Sequence, residues 1–396
     1  MNTFVQTQFE GNRSGLKDIL PLREKITPET FERERDKIFK KSWLMIGHVA
    51  DLPEAGSYFV RELPVVNTSL IVIRGRDGSI RSFHNVCRHR GNKLIRGGEG
   101  CKSTITCGFH GWTWSNTGEL LGVTDESQFH NLDKPALGLL DVATATWQDF
   151  IFVNFDPAAV SLEDWLGELA HGYDGYFQSQ KKYARYRIRV RCNWNLAINS
   201  FTEGYHTAYI HRNTAPDYQG GKKNPQRHRP FMQLLARHAR YTAPANPEHK
   251  LSPAEAIAWN YGPTLFPAAD FDYTGLAPAL NPGRTEHWLF DVIEWFPNAL
   301  LLPGKHYHVE LEFWPLSANE TDITMTAYAY PPQNYAQRIS LEFFRTRLRE
   351  VAREDMNTLE AQHAAISTGV LPEVFLSQQE LVLAHHYRVS EQMLNA

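Results

Sequence analysis

The chain has 396 residues, 42% of them hydrophobic, and a formal net charge of −3. That length supports two or three domains, and the near-neutral balance gives no reason to expect a nucleic acid or a membrane surface as partner. No run approaches about eighteen apolar residues, and the first residues lack the basic-then-apolar pattern of a secretory signal, so a cytoplasmic setting is expected.

Thr27-Pro28-Glu29 reads as a helix start: Thr27 can cap, Pro28 suits the first helical position and Glu29 suits the positive end. Phe31, Ile38 and Phe39 would give that helix its buried side. From Ser42 the pattern changes. The segments "YFVREL", "SLIVIRG", "IRSFHNV", "STITCGF" and "DFIFVNF" are short, rich in β-branched and aromatic residues, and separated by Gly, Asp or Asn. They predict an all-β domain over 41–155, preceded by an N-terminal segment, 1–40, that packs on the remainder. Residues 156–396 form the third part. There "SLEDWLGELAHGY" reads as a helix, "KKYARYRIRVRCNWN" as a strand and "LAINSFTEGYHTAYIH" as a helix. Residues 220–229 read as an exposed basic loop. The Pro-, Gly- and Asn-rich stretch 243–284 is either a pocket wall or an irregular surface excursion. Strands return in "EHWLFDVIEWF", "HYHVELEFWPL" and "TDITMTAYAYPP", and a long helix is expected from about Gln337 to His363. The apolar and aromatic stretch from Phe231 to Trp314 is expected to line part of a pocket.

Two short grips lie at the ends of expected strands. Cys87 and His89 stand in "NVCRHRG", and Cys107 and His110 in "ITCGFHGW". Two thiolates and two imidazoles in this pattern suit a Rieske-type [2Fe–2S] centre, both Cys on one iron and both His on the other. A Cys2His2 zinc site usually takes both Cys from one knuckle and both His from the other, whereas each knuckle here gives one of each. Gly91, Gly108 and Gly111 allow the backbone to approach the cluster. Cys101 and Cys192 remain, with no spacing that suggests a disulfide. Arg88 and Arg90 read either as a positive patch for an acidic electron donor or as solvated charges.

His206 and His211 are five apart, which puts them about 140° apart on a regular helix. Only a helix end or a local widening near Tyr209-Ile210 would bring them to one metal, and a partly buried His beside a surface His is the ordinary reading of such a pair. The late helix is more informative. Leu341, Phe344, Leu348, Ala352 and Leu359 mark one face, and Asp355 falls on that same stripe. A buried carboxylate there must be paired, cap a segment or bind a metal. Glu354 reads as solvent-facing. Two His and one carboxylate suit the facial triad of a non-haem Fe(II) oxygenase.

With these motifs in place, the chain resembles, over nearly its whole length, the large (α) subunit of a Rieske non-haem iron aromatic-ring-hydroxylating oxygenase. The cluster motif matches without a gap at Cys87, His89, Cys107 and His110, followed by Trp112. "NWNLAINSFTEGYHTAYIH" matches the catalytic motif and "REDMNTLEAQ" the late acidic one. The resemblance implies that His206, His211 and Asp355 bind a mononuclear Fe(II). It also implies that Glu203, where the family often has Asp, bridges to a cluster histidine of the neighbouring subunit. Asn199-Ser200-Phe201 departs from the family's frequent Glu-Asn-Phe.

The implied architecture is α+β: an all-β Rieske [2Fe–2S] domain plus a helix-grip (START-like) catalytic domain, a curved antiparallel sheet over a long C-terminal helix. The implied assembly is a homotrimer, α3, or α3β3. The chain has no G-x-G-x-x-G after a strand, so NAD(P)H is expected to act indirectly through a separate reductase, with or without a ferredoxin. The expected activity is O2-dependent cis-dihydroxylation of an aromatic or hydrophobic small molecule. Rieske monooxygenation is the alternative, by O- or N-demethylation or on an alkyl or quaternary ammonium substrate. From other classes, the rivals are an electron-transfer protein without a catalytic iron and a noncatalytic ligand-binding module.

Overall fold

Helix α1 (Pro28–Lys37) begins as its sequence dictates, with the Thr27 hydroxyl accepting from the Thr30 N–H at 3.1 Å and Pro28 in the first turn. The structure is a computed structural model that describes residues 15–215, 217, 229–261 and 274–396. It divides into two compact units, Phe39–Trp165, and the residues up to Ile38 together with Leu166–Ala396.

The Phe39–Trp165 unit is built from β1 (Leu44–His48), β2 (Ser57–Leu63), β3 (Thr68–Arg74), β4 (Ile80–His84), β5 (Glu99–Cys101), β6 (Thr104–Thr106), β7 (Thr113–Ser115), β8 (Leu120–Gly122), β9 (Asp141–Trp147) and β10 (Phe150–Asn154). Seven of them make an antiparallel sheet in the order β1-β10-β9-β4-β3-β2-β5, and β6-β7-β8 make a second one. Leu70, Ile71, Val72 and Ile73 of β3 are all at 0% exposure, so both faces of this interior strand are covered. Ile71 pairs with Phe83 of β4. Both belong to a cluster with Ile105, Trp112, Trp114 and the two cysteines Cys87 and Cys107. The sulfurs are therefore part of the core, and the loops that carry them are anchored by it.

The second unit contains the strands β11 (Lys181–Val190), β12 (Met232–Leu234), β13 (Ala239–Pro244), β14 (Trp288–Trp295), β15 (Ala299–Pro303), β16 (Tyr307–Ser317) and β17 (Glu320–Ala329). They form one antiparallel sheet in the order β11-β17-β16-β15-β14-β13-β12. Its helices include α2 (Trp194–Asn199), α3 (Thr207–Ile210), α4 (Pro253–Tyr261), α5 (Tyr335–Ser367) and α6 (Leu381–Asn395). The expected α+β architecture is present, with the curved sheet accompanied by the long helix α5. Asn334 caps α5 by accepting from the Gln337 N–H. Leu341, Phe344, Leu348, Ala352, Met356 and Leu359 are all buried along α5. Each large apolar side chain so buried contributes about 1.5–3 kcal/mol, which holds the helix in place. Helix α1 packs on α6, and Lys17 and Lys25 both reach Glu391.

Some elements differ from the sequence expectation. "SLEDWLGELAHGY" gives a single α-turn, Leu162–Leu166, because Gly167 takes a left-handed φ of 57° and the chain continues as a 3-10 turn. Strand β15 was hidden in a short Pro-flanked run. The stretch 243–284 contains α4, and its residues 262–273 lie outside the described ones, as do 220–228 of the expected basic loop. The expected helix over "LAINSFTEGYHTAYIH" is interrupted: α2 stops at Asn199 and α3 starts at Thr207.

Candidate metal centres

The loops Cys87–Gly91 and Cys107–Gly111 are built alike. In each, the Cys N–H donates to a carbonyl five residues on, from Cys87 to Asn92 and from Cys107 to Trp112, both at 2.8 Å. In each, the glycine N–H returns to the Cys carbonyl at 3.0 Å, with the glycine at a φ of 74°. That left-handed conformation is the reason glycine stands at 91 and 111. The turns bring the His89 and His110 rings to 4.7 Å between centroids, and His89 stacks on Trp112 at 4.9 Å. The Phe109 N–H and the Asn92 amide each donate to Cys107 Sγ at 3.5 Å. Burial alone would raise the Cys107 thiol, but the N–H groups of Phe109 and His110 outweigh it and hold it below its usual range. Burial, with the charges of His110 and Arg90, lowers His89 and favours the neutral imidazole a metal needs.

The four side chains fit a [2Fe–2S] cluster. His89 Nδ1 is buried and has no hydrogen-bond partner, an orphan of the kind a ligated metal satisfies. Arg88 donates to the carbonyls of Gly138 and Ala136, so it ties the loop down, whereas Arg90 is exposed and lies over the Phe109 ring at 5.4 Å. None of the four cysteines is in a disulfide. Burial pushes Cys192 up to about 12, which makes it inert.

His206, His211 and Asp355 offer ligand atoms that all lie within 4.8 Å of one another. The interruption of the helix brings this about. His206 stands at the N-terminal boundary of α3 and His211 at its C-terminal boundary, so the two rings meet edge to face at 5.2 Å. Asp355 Oδ1 lies 3.3 Å from His211 Nε2 and 3.6 Å from His206 Nε2. Asp355 is 4% exposed on the buried stripe of α5, at the position its periodicity requires.

The opposite ring nitrogens are held by carboxylates. Glu203 accepts from His206 Nδ1 and from the backbone N–H groups of Tyr205 and His206. It does so from the non-helical link between α2 and α3. Glu354, expected in solvent, instead takes His211 Nδ1 at 3.0 Å and the Thr214 hydroxyl at 2.5 Å on Oε2. Helical spacing missed it because one residue is about 100° of turn, yet the long Glu side chain reaches back over the edge of the stripe. Burial raises the Asp355 carboxyl to about 7, against the lowering effect of His206. Burial lowers His206, but the hydrogen bond and charge of Glu203 reverse the direction and raise it. His211 moves down with burial. A divalent cation among the three ligands would offset the buried charge, and both Nε2 atoms already face it: the donor set fits Fe(II).

These residues line a cavity of about 330 Å³. Its remaining wall is mainly apolar, including Phe201, Tyr241, Phe290, Val292, Leu311 and Leu348. As expected, the stretch from Phe231 to Trp314 supplies part of that wall. Apart from the triad and Glu203, Asp217 is the one charged residue among the described lining.

Two family models match: the Rieske [2Fe–2S] domain over residues 42–138, and the ring hydroxylating alpha subunit (catalytic domain) over 177–396. The chain is 32% identical over 195 residues to the carnitine monooxygenase oxygenase subunit of Escherichia coli (strain K12), covering 48% of this chain and 52% of that one. It is 34% identical over 191 residues to the large oxygenase component of the naphthalene 1,2-dioxygenase system of Pseudomonas aeruginosa, covering 46% and 42%. It thus spans about half the length of the curated relatives it matches. Among solved structures, naphthalene 1,2-dioxygenase from Rhodococcus sp. bound to indole superposes with a TM-score of 0.76 at 22% identity, covering 100% and 98%. A quaternary ammonium Rieske monooxygenase in complex with L-carnitine gives 0.71 at 21%, covering 93% and 94%. At those identities the likeness is one of fold. The catalytic-domain model covers more than half of the chain, and the chain belongs to the ring-hydroxylating alpha subunit family.

Proposed function

We propose that this chain is the terminal oxygenase component of a Rieske oxygenase system, with Cys87, His89, Cys107 and His110 holding a [2Fe–2S] cluster and His206, His211 and Asp355 holding Fe(II). Residues 41–155 would be the cluster domain and 156–396 the catalytic domain, with the described part of 1–40 packed on the latter; residues 1–14 lie outside the described ones. When bound, the cluster relays single electrons and the Fe(II) activates O2 for insertion into substrate. The observation that carries this reading is the convergence of two Nε2 atoms and one buried carboxylate at the wall of an apolar cavity. An electron-transfer protein or a noncatalytic binding module has no use for that convergence.

The chain's own residues orient and exclude. Glu203 and Glu354 fix the two rings, and the mainly apolar lining, with Phe201 and Tyr241 in it, offers a substrate hydrophobic contact beside the iron ligands. Electrons would come from a separate NAD(P)H-dependent reductase, directly or through a ferredoxin. In a homotrimer (α3) or an α3β3 assembly, Glu203 would bridge His206 to a cluster histidine of the neighbouring protomer. A reducing, cytoplasmic setting is proposed, since cysteines that hold a cluster must stay thiolates. Among the described residues, no helix is long and apolar enough to cross a membrane.

The apolar lining favours a small aromatic or hydrophobic substrate, and cis-dihydroxylation is the reaction we propose for it. A second reading, monooxygenation of a quaternary ammonium compound or demethylation, draws on a lining that holds both a carboxylate, Asp217, and aromatic residues, side-chain types that suit a cation. A panel of aromatic hydrocarbons and quaternary ammonium compounds, supplied with reductase and NADH, decides between them. Product must form with matched O2 uptake. NADH oxidation without product from either class contradicts the proposal.

A further inference from the structure

We propose that Glu354 is the positioning residue that makes His211 an iron ligand, which rests on the Fe(II) reading above. A carboxylate only accepts, so a ring nitrogen bonded to it carries the hydrogen. With Glu354 Oε2 at 3.0 Å, His211 Nδ1 is the protonated nitrogen, and the Nε2 lone pair is left facing Asp355 Oδ1 at 3.3 Å. The Thr214 hydroxyl donates to the same Oε2 at 2.5 Å and fixes the carboxylate's own orientation.

The two rings are locked in different ways. His206 is held by Glu203, three residues away in the chain, within one turn. His211 closes a helix of only four residues and is held by a residue 143 positions away. Helix α5 therefore does two jobs with consecutive residues: Asp355 supplies a ligand atom, and Glu354 selects the tautomer and angle of the imidazole opposite. Docking of α5 and competence of His211 are one event.

The test uses the full chain with its cluster in place. Chelation strips the mononuclear site, Fe(II) is titrated back anaerobically, and the nitric oxide complex is read by electron paramagnetic resonance. Glu354→Ala should weaken Fe(II) binding by about 10–100-fold and broaden the ferrous–nitrosyl signal, with the cluster spectrum unchanged. Glu354→Gln, which keeps an acceptor without its charge, should fall between Glu354→Ala and the parent in both affinity and signal. If Glu354 only tethers the chain after His211 to α5, Glu354→Ala and Thr214→Val will lower the unfolding midpoint alike and leave Fe(II) affinity and signal shape as in the parent; that result overturns the proposal. Should Glu354→Ala fail to fold, parent-like affinity and signal in Glu354→Gln overturn it instead. A parent that takes up no mononuclear Fe(II) at all defeats the iron-site reading, and the proposal with it.

Discussion

Asp355 Oδ1 lies 3.3 Å from Nε2 of His211, two groups 144 residues apart in sequence whose meeting defines the floor of the catalytic reading. One is delivered by the buried stripe of α5 and the other by the end of a four-residue helix. Asp355→Ala should remove the mononuclear iron and abolish coupled turnover, while the visible absorption of the cluster stays at parental strength. Iron analysis alongside the absorption spectrum checks this. Loss of both centres together would mean a folding defect.

How much of this could be read in advance depends on how local each signal is. Asp355 was legible because periodicity along one helix places a residue without reference to the rest of the chain. The two Cys–His knuckles were legible for the same reason, since each is a single turn. The meeting of His206 with His211 was not, because a helix was expected through both. The chain leaves the helix where Ser200 Oγ donates to the Ala197 carbonyl and Thr202 Oγ1 to that of Asn199, side-chain bonds that compete with helix propagation. Glu354 was misread altogether, since its partners, His211 and Thr214, come from a distant segment that no spacing within α5 can announce.

Glu203→Gln keeps an acceptor for His206 Nδ1 but removes the charge. We expect the variant to retain both metals and to lose about 10–100-fold in turnover. Rapid-mixing measurement of cluster reoxidation in the presence of substrate and O2 checks whether electron delivery is the step that slows. Parental rates in the variant would remove Glu203 from the path.

The twin knuckles predict a graded response to substitution. Gly111→Ala forces a Cβ into a left-handed turn, at a cost of about 1–2 kcal/mol, and places it 2.8 Å from the Thr124 hydroxyl that bonds the His110 carbonyl. Gly91→Ala meets open space and carries only the backbone cost. Gly111→Ala should therefore lose its cluster faster on heating than Gly91→Ala, as followed by visible absorption.

A buried acid outside the candidate metal sites predicts a pH effect. Glu34 accepts from Trp194 Nε1 at 2.8 Å and from the Asn195 amide at 2.9 Å, and burial raises its carboxyl to about 7 despite those bonds. A raised acid binds its proton more tightly in the folded state. Its contribution is therefore full below about pH 4.5, the unfolded value, and is lost as pH rises through about 7. Between those limits it lowers stability by about 1.4 kcal/mol per pH unit. Glu34→Gln should flatten that slope in urea unfolding followed from pH 5 to 8, and an unchanged slope would show that Glu34 does not titrate there.

Iron and acid-labile sulfide counted per chain in the purified, reconstituted protein test the two-centre account most directly. The account predicts about three iron and two sulfide, with a mononuclear ferrous signal in addition to that of the cluster. Two iron and two sulfide, with no ferrous signal after Fe(II) loading, would contradict it and leave only an electron carrier.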